Sequence, residues 1–149
     1  MFMDALLMVS DAQALSATAL STNTVDLGAP TVIRRIGTGE SIVLAVQIDV
    51  GADFTTGDET YEVQLISSAN ANLSSATILA RFPLLASTSL LIAGKKFSLP
   101  MPAGTPAQRY IGANYVLAGT TPTVTLTASF MPRSMAEAEY TYYAKGYAA

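Results

Sequence analysis

The sequence predicts an all-β protein, a jelly-roll-like antiparallel β-sandwich of about eight strands with flexible N- and C-terminal arms. The clearest observation is the run from Thr123 to Phe130, in which apolar residues alternate with Thr and Ser. Strict alternation is typical of a half-buried strand. Short runs of this kind are separated by Gly, Pro, Asn and Asp, and no segment longer than one short helix has helical spacing. Eight strands favour a jelly roll, which leaves little exposed sheet edge.

The N-terminal segment, residues 1–23, has no clean periodicity, and two interpretations stay open. Asp4 is placed to cap a short helix that carries Leu6 to Met8. Alternatively, the segment is an extended arm that wraps a neighbouring molecule. Residues 24–133 are expected to form the sandwich domain, and residues 134–149 a separate Tyr-rich tail.

Two antiparallel strand pairs are predicted within the domain. Ser41–Val50 and Glu59–Ser67 both alternate, and a loop joins them. The stretch Gln108–Pro132 is interpreted as a long hairpin that turns at residues 118–122, with a Thr-rich outer face. Further strands are expected at residues 24–27 and 77–85 and at Lys95–Leu99, where the lysines suit an edge strand. Residues 67–76 are small and polar, which favours a surface loop.

Composition argues against an enzyme. The chain has no Cys and no His, so thiolate nucleophiles, imidazole bases and zinc sites built from these residues are excluded. A glycosidase would use two carboxylates, but it also needs an aromatic sugar platform, and the chain has no Trp. The acids between Asp49 and Glu59 lack the spacing of a calcium loop. We therefore expect no catalytic residue, no cofactor and no metal.

Charge and hydropathy restrict the partners. The net charge of −3 predicts no nucleic-acid partner, and Gly119 and Pro122 interrupt the longest uncharged stretch, so no membrane span is expected. No export signal is recognised, which predicts synthesis in the cytoplasm. Only 13% of residues are charged, against about 25% in most globular chains. Either the protein is a monomer with a weakly charged surface, or partner subunits cover large areas; the second interpretation is favoured.

Candidate protein-contact residues are arginines and tyrosines. Arg34 and Arg35 can grip carboxylates bidentately, although a solvated loop pair is an equal alternative. The last ten residues hold four of the seven tyrosines, and interfaces favour Tyr for its large contact area and polar tip. The full predicted contact set is Arg34, Arg35, Arg109, Tyr110, Tyr115, Tyr140, Tyr142, Tyr143 and Tyr147.

Several short motifs, spread over roughly residues 3–131, carry a family resemblance. They are Val9–Leu15, Ser21–Asn23 with Asp26–Gly28, Thr56–Tyr61, and Gln108–Tyr115. In order and spacing they resemble the capsid cement (decoration) proteins of tailed bacteriophages, of the Bordetella-phage type. The resemblance implies a jelly-roll protein, a homodimer or other small homo-oligomer, that belongs to the virion. It also implies binding to the outer surface of the head, where the protein clamps neighbouring major capsid proteins and stabilises the shell.

Two other functions stay open. The first is a glycan- or host-surface-binding β-sandwich module of a virion fibre or adhesin, which predicts exposed aromatic residues beside acids in one groove. The second is a structural subunit that assembles with itself without any shell.

Overall fold

The computed structural model describes residues 4–28, 39–82, 91–102 and 108–138. In these ranges the chain forms nine strands and one short helix. The elements are β1 (Met8–Leu15), β2 (Ala19–Leu20), β3 (Val25–Asp26), β4 (Ile42–Val50), β5 (Thr60–Ser68), β6 (Thr77–Arg81), β7 (Lys96–Pro100), β8 (Tyr110–Ala118), β9 (Val124–Pro132) and α1 (Arg133–Ala138).

The strands form two antiparallel sheets that pack as a sandwich. The first sheet has the order β1-β9-β4-β7, and the second has the order β2-β8-β5-β6, with β3 also paired to β8. The paired strands are placed symmetrically in the sequence about a point close to the loop 69–76. This holds for β1–β9, β2–β8, β4–β7 and β5–β6. For example, Leu44 pairs with Leu99, and the position halfway between them in the sequence falls between residues 71 and 72. The chain is thus one long two-stranded ribbon rolled into two sheets. This is the jelly-roll topology, so the predicted fold class is confirmed.

Alternating apolar residues of the long strands fill the space between the sheets, as predicted. The inward residues of β9 are Val124, Leu126, Ala128 and Phe130, and all four lie in the core. Burying large side chains of this kind contributes about 1.5–3 kcal/mol each. The other long strands contribute Leu44, Val46 and Ile48 from β4, Tyr61, Val63 and Leu65 from β5, and Ile111, Ala113, Tyr115 and Leu117 from β8.

Both predicted strand pairs are wrong in their partners. β8 and β9 lie in different sheets, so residues 119–123 cross from one sheet to the other instead of turning a hairpin. The same holds for β4 and β5, which residues 51–59 connect. Alternation shows which side chains of a strand point inward. The same alternation is found whether the next strand pairs beside it or lies in the other sheet, ~10 Å away. Within the described ranges, β5 and β6 follow each other in the sequence and also pair with each other in one sheet.

The N-terminal segment is neither a helix nor an arm over residues 8–20. Residues 8–15 form β1, which pairs with β9. Asp4 does accept a hydrogen bond from the amide of Leu6 at 2.9 Å, but it caps a single turn. Two register shifts interrupt β1, and Ala12 has a φ of 41°. Each shift changes which side chains face the core, and this is why the sequence shows no regular period here.

The Thr-rich outer face of β9 is more covered than expected. Thr127 and Ser129 are buried, at 8% and 0% exposure. The hydroxyl of Thr127 donates to Asp49 Oδ2 at 2.6 Å and accepts from the amide of Ala12 at 3.0 Å. Beside them, Ala136 of α1 packs in a small cluster on the outer side of the first sheet, with Val43, Ala45 and Met131. This helix occupies the start of the segment predicted to be a tail.

The edge strands of the described sheets all carry features that hinder pairing with another strand. β7 is an edge strand, as predicted; Lys96 is its first residue and Lys95 immediately precedes it. β1 has its register shifts, and β6 has a bulge at Leu79. β2 and β3 have two residues each. Contacts with other proteins are therefore expected at loops and side chains rather than by strand addition. No helix in the described ranges is long and apolar enough to cross a membrane.

Candidate functional site

Two of the predicted contact residues, Arg109 and Tyr110, lie together at one end of the sandwich. Arg109 donates from Nε and Nη2 to the two carboxylate oxygens of Asp26, both at 2.9 Å. Asp26 Oδ1 also accepts from the amide of Gly28 at 2.8 Å. The amide of Leu27 donates to the carbonyl oxygen of Arg109 at 2.7 Å. This group of Asp26, Arg109 and Tyr110, which we call the arginine clamp, fixes the short strand β3 against the start of β8.

The ring of Tyr110 supports the guanidinium from one face. Arg109 Cζ lies 5.0 Å from the ring centroid, which is within cation–π range. The hydrogen bond to Asp26 raises the pKa of Arg109 further above its ordinary value. The Arg109 and Asp26 side chains nevertheless remain 39% and 45% exposed. The clamp therefore presents an oriented, charged group to the outside.

Tyr115 is not a surface residue, which corrects the prediction that it contacts a partner. Its side chain is 1% exposed and lies between the sheets. Its hydroxyl is 2.7 Å from the hydroxyl of Ser10 on β1, so the pair links the two sheets through the core. Burial raises the pKa of Tyr115 well above its ordinary value. The period of β8 already placed Tyr115 on the inward face with Ile111 and Ala113, and that signal outweighs the general preference of Tyr for interfaces.

The remaining predicted contact residues lie outside the described residues. They are Arg34, Arg35, Tyr140, Tyr142, Tyr143 and Tyr147. Their role stays a prediction.

A shallow groove that the sequence did not indicate lies beside the clamp. It has a volume of about 490 Å³. Leu6 is 83% exposed at this groove. The lining residues are Ala5, Leu6, Met8, Thr22, Asn23, Thr24 and Ala71. Thr24 precedes the clamp residue Asp26 by two positions, so groove and clamp are adjacent.

The loop 69–76 is anchored by one apolar residue. Leu73 is 3% exposed although its neighbours in the loop are exposed. A Cβ on Gly112 would lie 2.6 Å from Leu73 Cδ1, so the leucine packs directly over the glycine of β8 and would have to shift if a larger residue stood there. The hydroxyl of Ser68 donates to the carbonyl oxygen of Ser74 at 2.6 Å and closes the base of the loop. The sequence predicts a polar surface loop here, and Leu73, the single large apolar residue of the loop, was the signal that it is anchored. We refer to residues 4–7, 24–28, 69–76 and 108–110 as the arginine end.

The opposite end of the sandwich, which we call the closed end, consists of residues 51–59 and 119–123. Asp58 accepts from the amide of Thr120 at 3.1 Å and from its hydroxyl at 3.0 Å. The amide of Asp53 donates to the carbonyl oxygen of Thr123 at 2.9 Å. Gly119 is required between them, because its φ is 102° and a Cβ would lie 2.6 Å from the carbonyl oxygen of Asp58.

The acids of the closed end are held by donors from their own loops. The buried Glu59 accepts from the amides of Thr56 at 3.1 Å and Gly57 at 2.8 Å, and the hydroxyl of Thr56 also donates to it. This hydroxyl is the main cause that lowers the pKa of Glu59. Hydrogen bonds from Thr120 lower the pKa of Asp58. The described ranges contain no cluster of three acids placed to hold a metal ion.

The comparison with protein families matches Bbp16 over residues 9–130. The chain belongs to the Bbp16 family. Bbp16 is the name of a Bordetella phage protein family, and the name states no function. The Bbp16 match runs from the second residue of β1 to Phe130 in β9, so it includes the closed end, the whole clamp and all of the arginine end except residues 4–7. No curated protein matches the chain.

Proposed function

We propose that this protein is a structural capsid cement (decoration) protein. In this role it binds the outer surface of a phage head and clamps neighbouring major capsid proteins, which stabilises the shell. The observation that carries the proposal is the match to a Bordetella phage family over most of the chain. The proposed location is the virion, and the proposed partners are the major capsid protein and further copies of the chain as a small homo-oligomer.

The fold is well suited to a passive clamp. A jelly roll whose edge strands are blocked is a rigid body that does not polymerise through its sheets. At the closed end the acids are held by the protein's own hydroxyl and amide groups, while at the arginine end Arg109 and Leu6 remain exposed. Many copies on a symmetric shell act together, so each contact can be weak while the shell is strongly reinforced.

The glycan-binding alternative finds no support in the described residues. It requires exposed aromatic rings beside acids, whereas every aromatic side chain in the described ranges is buried or half-buried. Phe54 and Tyr61 form a ring pair beside the acidic loop 51–59, with centroids 5.2 Å apart, and Tyr61 is 3% exposed. The hydroxyl of Tyr61 donates to the carbonyl oxygen of Asp53 at 2.6 Å, so this ring organises the closed end internally.

A binding experiment with heads tests the proposal. The purified protein is sized alone by light scattering and then mixed with expanded empty heads, which are pelleted and assayed for bound protein and for resistance to heat. A small discrete oligomer that saturates the heads and raises their disruption temperature is expected. Fibres in the protein alone, binding to a glycan array, or heads that remain bare would overturn the proposal.

A truncation tests the predicted part of the tyrosine tail. Deleting residues 139–149 removes Tyr140, Tyr142, Tyr143 and Tyr147 but keeps α1, which packs on Val43 and Ala45. We expect weaker head binding with an unchanged urea midpoint. Undiminished occupancy of the heads would show that the tail is not an anchor.

A further inference from the structure

The hydrogen bonds of the arginine clamp use only one edge of the Arg109 guanidinium. Nε and one N–H of Nη2 are directed at Asp26. A guanidinium carries five N–H donors, which leaves the two N–H groups of Nη1 and the second N–H of Nη2. Among the described residues no other acceptor of Arg109 is found. The outward edge of the guanidinium is therefore a second two-pronged donor.

The orientation of this outward edge is fixed before any partner arrives. Asp26 holds the inner edge at two points, and the ring of Tyr110 supports one face. Asp26 is itself anchored by the amide of Gly28 and by the backbone pairing of β3 with β8. A free arginine side chain loses considerable rotamer entropy on binding, and a side chain that is already held loses less.

The outward edge fits a carboxylate. Two parallel N–H donors match the two oxygens of a carboxylate or a phosphate. Charge alone does not decide between them, because the attraction to Arg109 and the repulsion from Asp26 both grow with the charge of the anion. The decorated surface of the proposed function is protein, and this favours the carboxylate. A protein partner offers carboxylates on Asp and Glu side chains.

We propose that the outward Nη1/Nη2 edge of Arg109 binds a carboxylate side chain on the surface that the protein decorates, with Asp26 and Tyr110 as positioning residues. This inference rests on the proposed cement function and names the chemical group that the clamp recognises. It separates the roles within the clamp, since Arg109 makes the contact and the other two residues aim it.

Head binding by four variants tests the assignment. Arg109→Lys keeps the positive charge but loses the two parallel N–H donors. We expect the dissociation constant for heads to rise about tenfold, because one charged hydrogen bond is lost. Asp26→Asn and Tyr110→Ala keep the arginine but release its orientation, and a smaller rise is expected. Tyr110→Phe keeps the ring and should bind as the wild type does. Urea unfolding checks that all four are folded, and little change is expected because the pair is exposed.

A second measurement does not depend on heads. Side-chain ¹⁵N resonances of arginine are followed while sodium acetate is added, with sodium chloride of equal ionic strength as the control. The Arg109 resonances should shift with acetate and not with chloride, and the shift should be weaker in Tyr110→Ala, which loses the supporting ring but leaves the charges unchanged.

The outcomes are distinguishable. If the wild type fails to bind heads but its Arg109 resonances respond to acetate, the cement function fails and the carboxylate site stands. If the wild type binds heads while Arg109→Lys binds equally well, the inference is wrong and the cement function stands. Arg109 resonances that respond equally to acetate and chloride would also overturn the inference.

Discussion

The two ends of the sandwich differ in how they use their polar groups. At the closed end, Asp58 and Glu59 accept hydrogen bonds from neighbouring amides and hydroxyls. At the arginine end, Arg109 uses part of its donors on Asp26 and keeps the rest exposed, beside an exposed Leu6. The first arrangement ties two loops together, and the second leaves oriented groups free for a partner.

Under the proposed function, this difference separates the residues that stabilise the fold from the residues that bind a partner. Polar groups that find partners within the protein stabilise the fold, and polar groups that are held but unsatisfied are available for binding. We therefore expect substitutions at the closed end to change the free energy of unfolding, and substitutions of exposed groups at the arginine end to change binding with little effect on unfolding.

The largest effect is expected at Gly119 of the closed end. Gly119→Ala introduces a Cβ against backbone atoms of Asp58 and Glu59 at 2.6–2.8 Å, in a conformation with a φ of 102°. Since backbone cannot move aside cheaply, we expect a loss of about 3 kcal/mol in the free energy of unfolding in urea. The matched control is Gly57→Ala, which has a φ of 77° but open space around it, and should lose about 1 kcal/mol. Equal losses would show that conformation alone, and not the close approach of the two loops, makes Gly119 necessary.

A somewhat smaller loss of stability is expected on substitution of Leu73. This residue is an exception to the comparison, because it belongs to the arginine end but is buried and stabilises the fold. Leu73→Ala leaves a gap over Gly112, and we expect a loss of about 2–3 kcal/mol in urea unfolding. Leu6→Ala is the control, with the same chemical change at a side chain that is 83% exposed, and its effect should stay within about 0.5 kcal/mol. If Leu73→Ala were as mild as the control, the loop 69–76 would not be anchored by its leucine.

The smallest effect is expected from pH, since the stability of the fold should change little near neutrality. The pKa values of Asp53, Asp58 and Glu59 are lowered in the folded protein. The unfolded chain therefore binds protons more readily, so the stabilisation is complete above the ordinary carboxyl pKa of about 4 and is lost as the pH falls through the folded values. The urea midpoint should be flat from pH 7 to 5 and then decrease. Asp58→Asn keeps an acceptor for Thr120 without titrating, and its curve should fall less steeply; an identical slope would remove Asp58 from the explanation.

Alternation predicted the strands and their inward faces but not their partners. The residues of Ile42–Val50 and Val124–Pro132 that face the core follow from period two, because that pattern depends on the strand alone. Pairing depends on where the following loop goes, and the loops at 51–59 and 119–123 are long enough for either path. The strand β1 was not predicted for a related reason. Each bulge adds one residue, which moves the following side chains to the other face of the sheet and breaks the alternation.

For the candidate site, the chemistry of single residues was easier to predict than their surroundings. Arg109 was predicted to contact a partner because a guanidinium suits carboxylates, and that role stays a prediction. Its pairing with Asp26, which the structure shows, joins residues 83 positions apart. Tyr115 was assigned to the surface from residue type, although its place in the strand period indicated the core. Leu73 is buried because of a space that Gly112 provides in another strand, and no local pattern connects the two.

The rolled ribbon also has a consequence for the order in which the protein folds. Ser67 and Thr77 pair across a short loop, whereas Met8 and Ser129 pair across almost the whole chain. Closing a short loop sacrifices less chain entropy, so the β5–β6 turn is the natural nucleus, and pairing should spread outward from it towards β1 and β9. A contact order this high places folding in the range of milliseconds to seconds. The outermost pair, which should form last, also brings residues 4–7 against β9, so the arginine end would be completed only at the final step of folding.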